Sequence, residues 1–188
     1  TLSLHDALPI SLGEKQIQWI NAELKKHDKV RWTMVFLHQP LWLMEEGILI
    51  RREGQKTLRK SDTGWPKVEK ALGDRKYTVF AGHIHHYAKY IRNNRSYYML
   101  GTTGGGSQLR GTSFGEFDHA TWVTMTDQGP QLANLRLDGI LEDDVSTESH
   151  QKFWRSLAFE EYFSDGPLLE GKELTLPIRN HFDFDIQG

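Results

Sequence analysis

Apolar residues recur along the chain at two different periods, and the switches between them predict an order of elements. Ser11 and Glu14 have the spacing of a capping box, and Ile17, Ile20 and Leu24 then follow at helical intervals, predicting a helix over Leu12–His27. Arg31 to His38 is rich in aromatic and β-branched residues and stops at Gln39-Pro40, as a buried strand does when its next residue has no backbone donor. Met44 to Thr63 is charged and aperiodic and reads as a solvated loop. A short helix is predicted from Trp65-Pro66 to Leu72, with proline near its first turn. Tyr77 to Ala81 predicts a second buried strand, which runs into Gly82-His83-Ile84-His85-His86. Two hairpins follow: Tyr87–Ile91 with Ser96–Leu100 around Asn93-Asn94, and Ala120–Thr126 with Gln131–Leu137 around Asp127-Gln128-Gly129-Pro130. Phe153 and Leu157 sit at helical spacing in a predicted linker helix over Ser146–Phe163, broken by Gly166-Pro167, and Glu173–Ile178 alternates like a strand. The first ten residues sustain neither period.

Composition narrows the chemistry. With 23 Lys+Arg against 25 Asp+Glu the net charge is -2, so the chain has no general electrostatic attraction for nucleic acid or anionic lipid, and neither is expected as a partner. No apolar run approaches the roughly 20 residues of a membrane-spanning helix, and the first residues lack the basic-then-apolar pattern of a signal peptide. The absence of cysteine excludes disulfides, thiolate metal ligands and a thiol nucleophile. Metal chemistry would rest on His, Asp, Glu or Asn. A chain of 188 residues fits one domain or part of a larger one.

The histidines stand out by position. His38 ends one predicted strand, and His83, His85 and His86 follow the other. Neutral imidazole ligates Zn, Fe and Mn, and residues i and i+2 of a strand lie on one face about 6 to 7 Å apart. That spacing would let His83 and His85 address two neighbouring ions, with His38 joining from the adjacent strand and Gly82 easing the backbone turn. The same spacing suits a satisfied strand-end histidine beside a solvated turn, so by itself it leaves both readings open.

Phe36-Leu37-His38-Gln39-Pro40-Leu41-Trp42 and Phe80-Ala81-Gly82-His83-Ile84-His85, separated by a Trp-containing helix, resemble the last two sequence blocks of the calcineurin-like metallophosphoesterases, including the purple acid phosphatase branch. The helix containing Glu14, Gln16, Trp19 and Ile20 is similar to theirs, and the resemblance covers about Ser11 to Leu137. It implies an α/β fold, here the C-terminal half of a four-layer αββα sandwich with a two-metal centre at the strand ends. It also implies that His38 and His83 ligate the second metal and His85 the first, the ions being two of Fe, Zn or Mn. The implied reaction is hydrolysis of a phosphorylated small molecule or other phosphoester by a bridging water that the metals activate. The family's Asp-x-His, Gly-Asp-x-x-Asp and Gly-Asn-His blocks are absent. His5-Asp6 reverses the first, Gly73-Asp74 lacks its second Asp, and Asn180-His181 lacks its Gly.

The expected organisation is therefore a stray leader over 1–10, resembling a translated sequencing-adapter remnant, a partial metallophosphoesterase domain over 11–141, a helical linker over 142–170, and the first strand of a truncated β-sandwich domain over 171–188. Such a fragment is expected to be inactive alone and to self-associate through a sheet face left uncovered. Two other readings stand beside it: a non-catalytic interaction domain on the same scaffold, and a complete mononuclear His-site protein. Family resemblance points to a periplasmic or secreted location. Trp42 and Tyr87 would either wall a substrate cleft or pack in the core, and His86 would either orient a leaving group or face solvent. Gly101–Ser107 would cradle a phosphate or serve as a flexible connection. His119 would support a metal ligand or begin a strand, and the basic stretch Arg51–Lys60 is expected to be a solvated loop.

Overall fold

A computed structural model describes residues 11–46 and 62–156, with the backbone alone for 155 and 156. The leader, the basic stretch Arg51–Lys60, the end of the linker and the strand expected over 171–188 lie outside the described residues. Within them the fold is mixed α/β, with two sheets and four helices.

The chain enters through helix α1 (Glu14–Lys26), whose Ile17, Ile20 and Leu24 form the predicted stripe. The cap lies two residues later than its signature. Leu12 N–H donates to the Thr63 carbonyl at 2.8 Å, which keeps the chain extended through Leu12, and the Gln16 side chain then accepts from Gly13 N–H. Strand β1 (Thr33–Leu37) follows, then a short helix α2 (Leu41–Glu45), helix α3 (Trp65–Leu72) and strand β2 (Tyr77–Ala81). Helix α2 is a correction to the sequence reading, as are the buried ends of the segment read as a solvated loop. Leu41, Trp42, Leu43 and Met44 are all buried, so no polar position marks a helical period. At the loop's far end Thr63 is also fully buried, and both its N–H and its hydroxyl donate to the Glu45 carboxylate.

Strand β3 (Ala88–Arg92) and strand β4 (Arg95–Met99) form the first hairpin, and Asn93 and Asn94 at its turn have φ of 50° and 56°. This is the left-handed pair that a two-residue hairpin turn requires and that asparagine tolerates. The first sheet has the order β1-β2-β4-β3; β1, β2 and β4 are parallel and β3 is antiparallel at the edge. All five residues of β2 are buried because both faces of the strand are covered. On one face Tyr77, Val79, Tyr97 and Met99 pack with Trp42, Trp65, Val68 and Leu72 of the helices. On the other, Phe80 and Tyr98 pack with Phe117, in the connection before the second sheet, and with Val123, Leu132 and Leu141 of that sheet. Phe36, Phe80 and Tyr98 stack across three adjacent strands, at 5.1 Å and 5.5 Å.

The second sheet is an antiparallel meander of β5 (Ala120–Thr126), β6 (Gly129–Arg136) and β7 (Gly139–Glu142). Strand β7 was not foreseen: it has four residues, three of them exposed, so it offers almost no burial pattern, and only Asp138-Gly139 signals the reversal. Trp122 and Ile140 are exposed on this sheet. Helix α4 (Glu148–Ser156) begins two residues later than predicted. The described part of the expected linker packs against the domain: Ser146, Gln151 and Phe153 are buried, and Lys89 N–H donates to the Ser146 carbonyl. Among the described residues no helix is long and apolar enough to cross a membrane.

Candidate functional site

Three loops leave the C-terminal ends of the parallel strands side by side, the position at which open α/β sheets present ligands. The loop after β1 begins with His38, the loop after β2 is Gly82 to His86, and the loop after β4 is the glycine-rich 100–107. Register aligns the first two: Leu37 pairs with Ala81, and Gly82 N–H donates to the His38 carbonyl at 3.0 Å. His38 and His83 are thereby brought together, with His83 Nδ1 3.1 Å from His38 Nε2 and the rings edge to face.

His83 and His85 are not on a strand, so the i, i+2 face expected for them is replaced by a different device. Strand β2 ends at Ala81, and the two histidines have φ of 74° and 64°. Left-handed backbone costs an L-residue roughly 1–2 kcal/mol, and such strain gathers where a site demands it. Gly82, expected to ease the turn, has no positive φ; the histidines themselves carry the unusual conformation.

His85 is turned toward the third loop. Its Nδ1 lies 2.5 Å from the Gly106 carbonyl oxygen. A carbonyl only accepts, so Nδ1 carries the proton and Nε2 of the neutral ring keeps its lone pair. Polar contacts tie the loop to the segment before β5. Asp118 accepts from the Thr102 hydroxyl and, at 2.9 Å, from Gly104 N–H, while the Thr103 hydroxyl donates to the His119 carbonyl. Gly104 N–H, one of the amides expected to face a phosphate, is thus occupied by the Asp118 carboxylate. These bonds hold that carboxyl below its usual range, the Thr102 hydroxyl contributing most.

His86 neither faces solvent nor opens into the site. Its Nε2 lies 2.6 Å from Oε1 of Glu116, whose side chain is 3% exposed and which also accepts from Arg110 Nε and Nη2 at 2.8 and 2.5 Å. Burial pushes the His86 pKa down, Glu116 opposing it in part, and Nδ1 is buried without a hydrogen-bond partner. The contact is therefore a neutral imidazole donating to a carboxylate. Arg110 in turn holds the Glu116 carboxyl below its ordinary value.

Trp42 and Tyr87 are both fully buried, which places them in the core rather than on a cleft surface. Trp42 packs edge-on against Tyr90 and Tyr97, and the Tyr87 hydroxyl donates to the Asp143 carbonyl. His119 immediately precedes β5, buried between Tyr87 and Phe117, and burial lowers its pKa. Glu116, Arg110 and Asp118, which brace the loops, were not singled out from sequence. They lie more than twenty residues beyond the histidines and match no motif.

The fit to metal is partial. Two nitrogens bound to one ion at roughly 2.0–2.1 Å stand about 2.8–3.4 Å apart for bond angles from a right angle to tetrahedral. The 3.1 Å between His38 and His83 meets that requirement. Among the described residues, however, no group of three or more His, Cys, Asp or Glu side chains is arranged to hold an ion, so the carboxylates of a two-ion centre are not gathered there. Comparison with protein-family models, curated proteins and solved structures finds no match to this chain.

Proposed function

We propose that the chain carries the histidine-donor part of a metal-dependent phosphoester hydrolase, with the four-layer αββα arrangement of the calcineurin-like metallophosphoesterases. The convergence of His38 Nε2 and His83 Nδ1 at 3.1 Å, on the ends of adjacent parallel strands, carries this reading. His38 and His83 would share one ion, and His85, with Nε2 left as its donor, would address a second. Bound metal would supply phosphoryl polarisation and an activated water. The chain's own residues hold the imidazoles in place: β1 and β2 align His38 with His83, and the Gly106 carbonyl orients His85. The carboxylate ligands belong outside the described residues, and the histidines alone are expected to give no turnover. The same reading assigns a covering layer to the outer face of the second sheet, where Trp122 and Ile140 are exposed, and self-association where that cover is lacking.

The test is metal uptake by the chain, with zinc or manganese, followed by binding of inorganic phosphate. Uptake that falls at least about tenfold in His38→Ala and in His83→Ala, together with phosphate retention only in the loaded wild-type protein, supports the proposal. Uptake unaffected by either substitution overturns the site. Uptake without metal-dependent phosphate retention overturns the hydrolase reading in favour of an interaction domain.

A further inference from the structure

Asp118 lies in the connection just before β5, and its carboxylate closes a chain of bonds that ends on His85. Its carboxylate holds both ends of the tight turn at the start of the glycine-rich loop, through the Thr102 hydroxyl and the Gly104 N–H. Two residues further on, Gly106 turns its carbonyl onto His85 Nδ1. Several features make the loop dependent on such an anchor. Gly104 has φ of 80°, an added Cβ at either Gly104 or Gly106 would meet nothing within 4 Å, and 103 to 106 are exposed. Packing therefore does little to hold these residues, and the polar contacts decide where the Gly106 carbonyl points. Thr102 is buried and forms an isolated bridge with Asp118, and His119 N–H donates to the Thr102 carbonyl. The anchor is thus tied to the second sheet, while the carbonyl it aims belongs to the first sheet's strand-end loops.

We infer that Asp118 is a positioning residue, which by fixing the 102–106 loop sets the tautomer of His85 and presents its Nε2 as the donor atom. Its relevance to metal binding rests on the function proposed above, but the tautomer itself does not. A histidine free in water favours the proton on Nε2, so the structure asks for the opposite state, and a second group must enforce it. A carboxylate suits this task because charge-assisted bonds to a hydroxyl and a backbone amide are about twice as strong as neutral ones.

The experiment reads the ring nitrogens of His85 by 15N NMR in the metal-free chain, under conditions where the imidazole is neutral, with His85→Gln to assign the signals. Wild type is expected to show Nδ1 protonated and Nε2 bare. In Asp118→Ala the ratio of the two tautomers should fall about tenfold toward that of exposed histidine, and Asp118→Asn, which keeps an acceptor oxygen, should restore most of it. Thr102→Val removes one of the two bonds without changing volume and should give an intermediate ratio even if Asp118→Ala folds poorly. A wild-type His85 protonated on Nε2 overturns the inference, as does a ratio unchanged within about twofold in both Asp118→Ala and Thr102→Val. Because no metal is present, failure of ion uptake would sink the proposed function and leave this result standing. The converse failure would leave ion uptake at His38 and His83 untouched.

Discussion

Removing the Glu116 carboxylate should cost the fold more than an ordinary surface pair would. Glu116→Ala takes away an acceptor that serves three side-chain donors, and the two residues that lose it differ in exposure: His86 is 17% exposed and Arg110 45%. The Arg110 guanidinium recovers water when released, so its share is about 1 kcal/mol or less. The His86 Nε2–H is left inside without an acceptor, a loss of about 1–3 kcal/mol. Together these predict a destabilisation of about 3 kcal/mol, or a fall of roughly 1.5 M in the urea midpoint for a slope near 2 kcal/mol/M. Glu116→Gln keeps one oxygen for His86 and should lose only about 1 kcal/mol. The effect has a pH signature. Because Arg110 depresses the Glu116 pKa in the folded state, its stabilisation is present above the ordinary value of 4.5 and is lost as pH falls through the lower folded value. Wild type and Glu116→Ala should therefore converge in acid. Urea titrations showing Glu116→Ala within about 0.5 kcal/mol of wild type near neutrality would refute the reasoning, since the carboxylate would then be worth no more than an exposed one.

His83→Gly and His83→Ala remove the same ring contacts and differ in backbone alone, so at a φ of 74° the glycine variant should be the more stable by about 1 kcal/mol in chemical denaturation, while both lose ion uptake. Burial holds His119 below its ordinary value of 6.5, so wild-type stability should be fully present above that pH and decline as pH falls through the lower folded pKa. His119→Phe, which keeps a ring edge-on to Tyr87 and tilted against Phe117, should flatten that slope in thermal melts across the same window. Gly129 has φ of 124°, and an added Cβ would stand 2.6 Å from the Trp32 ring, so Gly129→Ala should cost about 2–3 kcal/mol. Trp32→Leu should relieve the steric part, a non-additivity that a double-mutant cycle would detect.

Much of the element order was legible because it depends on local spacing. The α1 stripe, the aromatic and β-branched run of β2 and the Asn93-Asn94 turn are each specified by neighbours within a few positions, and each forms close to where its pattern predicts. The elements that were missed, α2 and β7, lack that contrast: one is buried on every side and the other is almost wholly exposed. The site divides in the same way. Placing His38 and His83 beyond the ends of two strands needed only the strand patterns, and parallel pairing then made them neighbours, although β1, expected to be buried, is a half-buried edge strand and only β2 is covered on both faces. Spacing did not show that His83 and His85 lie past the strand in left-handed backbone, because a period of two describes a turn as readily as a sheet. Nor did it show that Trp42 and Tyr87 are core residues, since an aromatic side chain beside a ligand looks the same in one dimension whether it lines a cleft or fills one. The bracing of the loops was beyond local pattern altogether. Glu116 reaches His86, and Asp118 reaches the glycine-rich loop, only because the second sheet folds across the first and brings the 111–119 connection under the strand ends. Sequence determined which residues could form strands, turns and imidazole donors, since those preferences are properties of a few adjacent residues. Tertiary structure alone decided which carboxylate faces which imidazole, because hydrogen bonds between segments distant along the chain exist only after both sheets have packed.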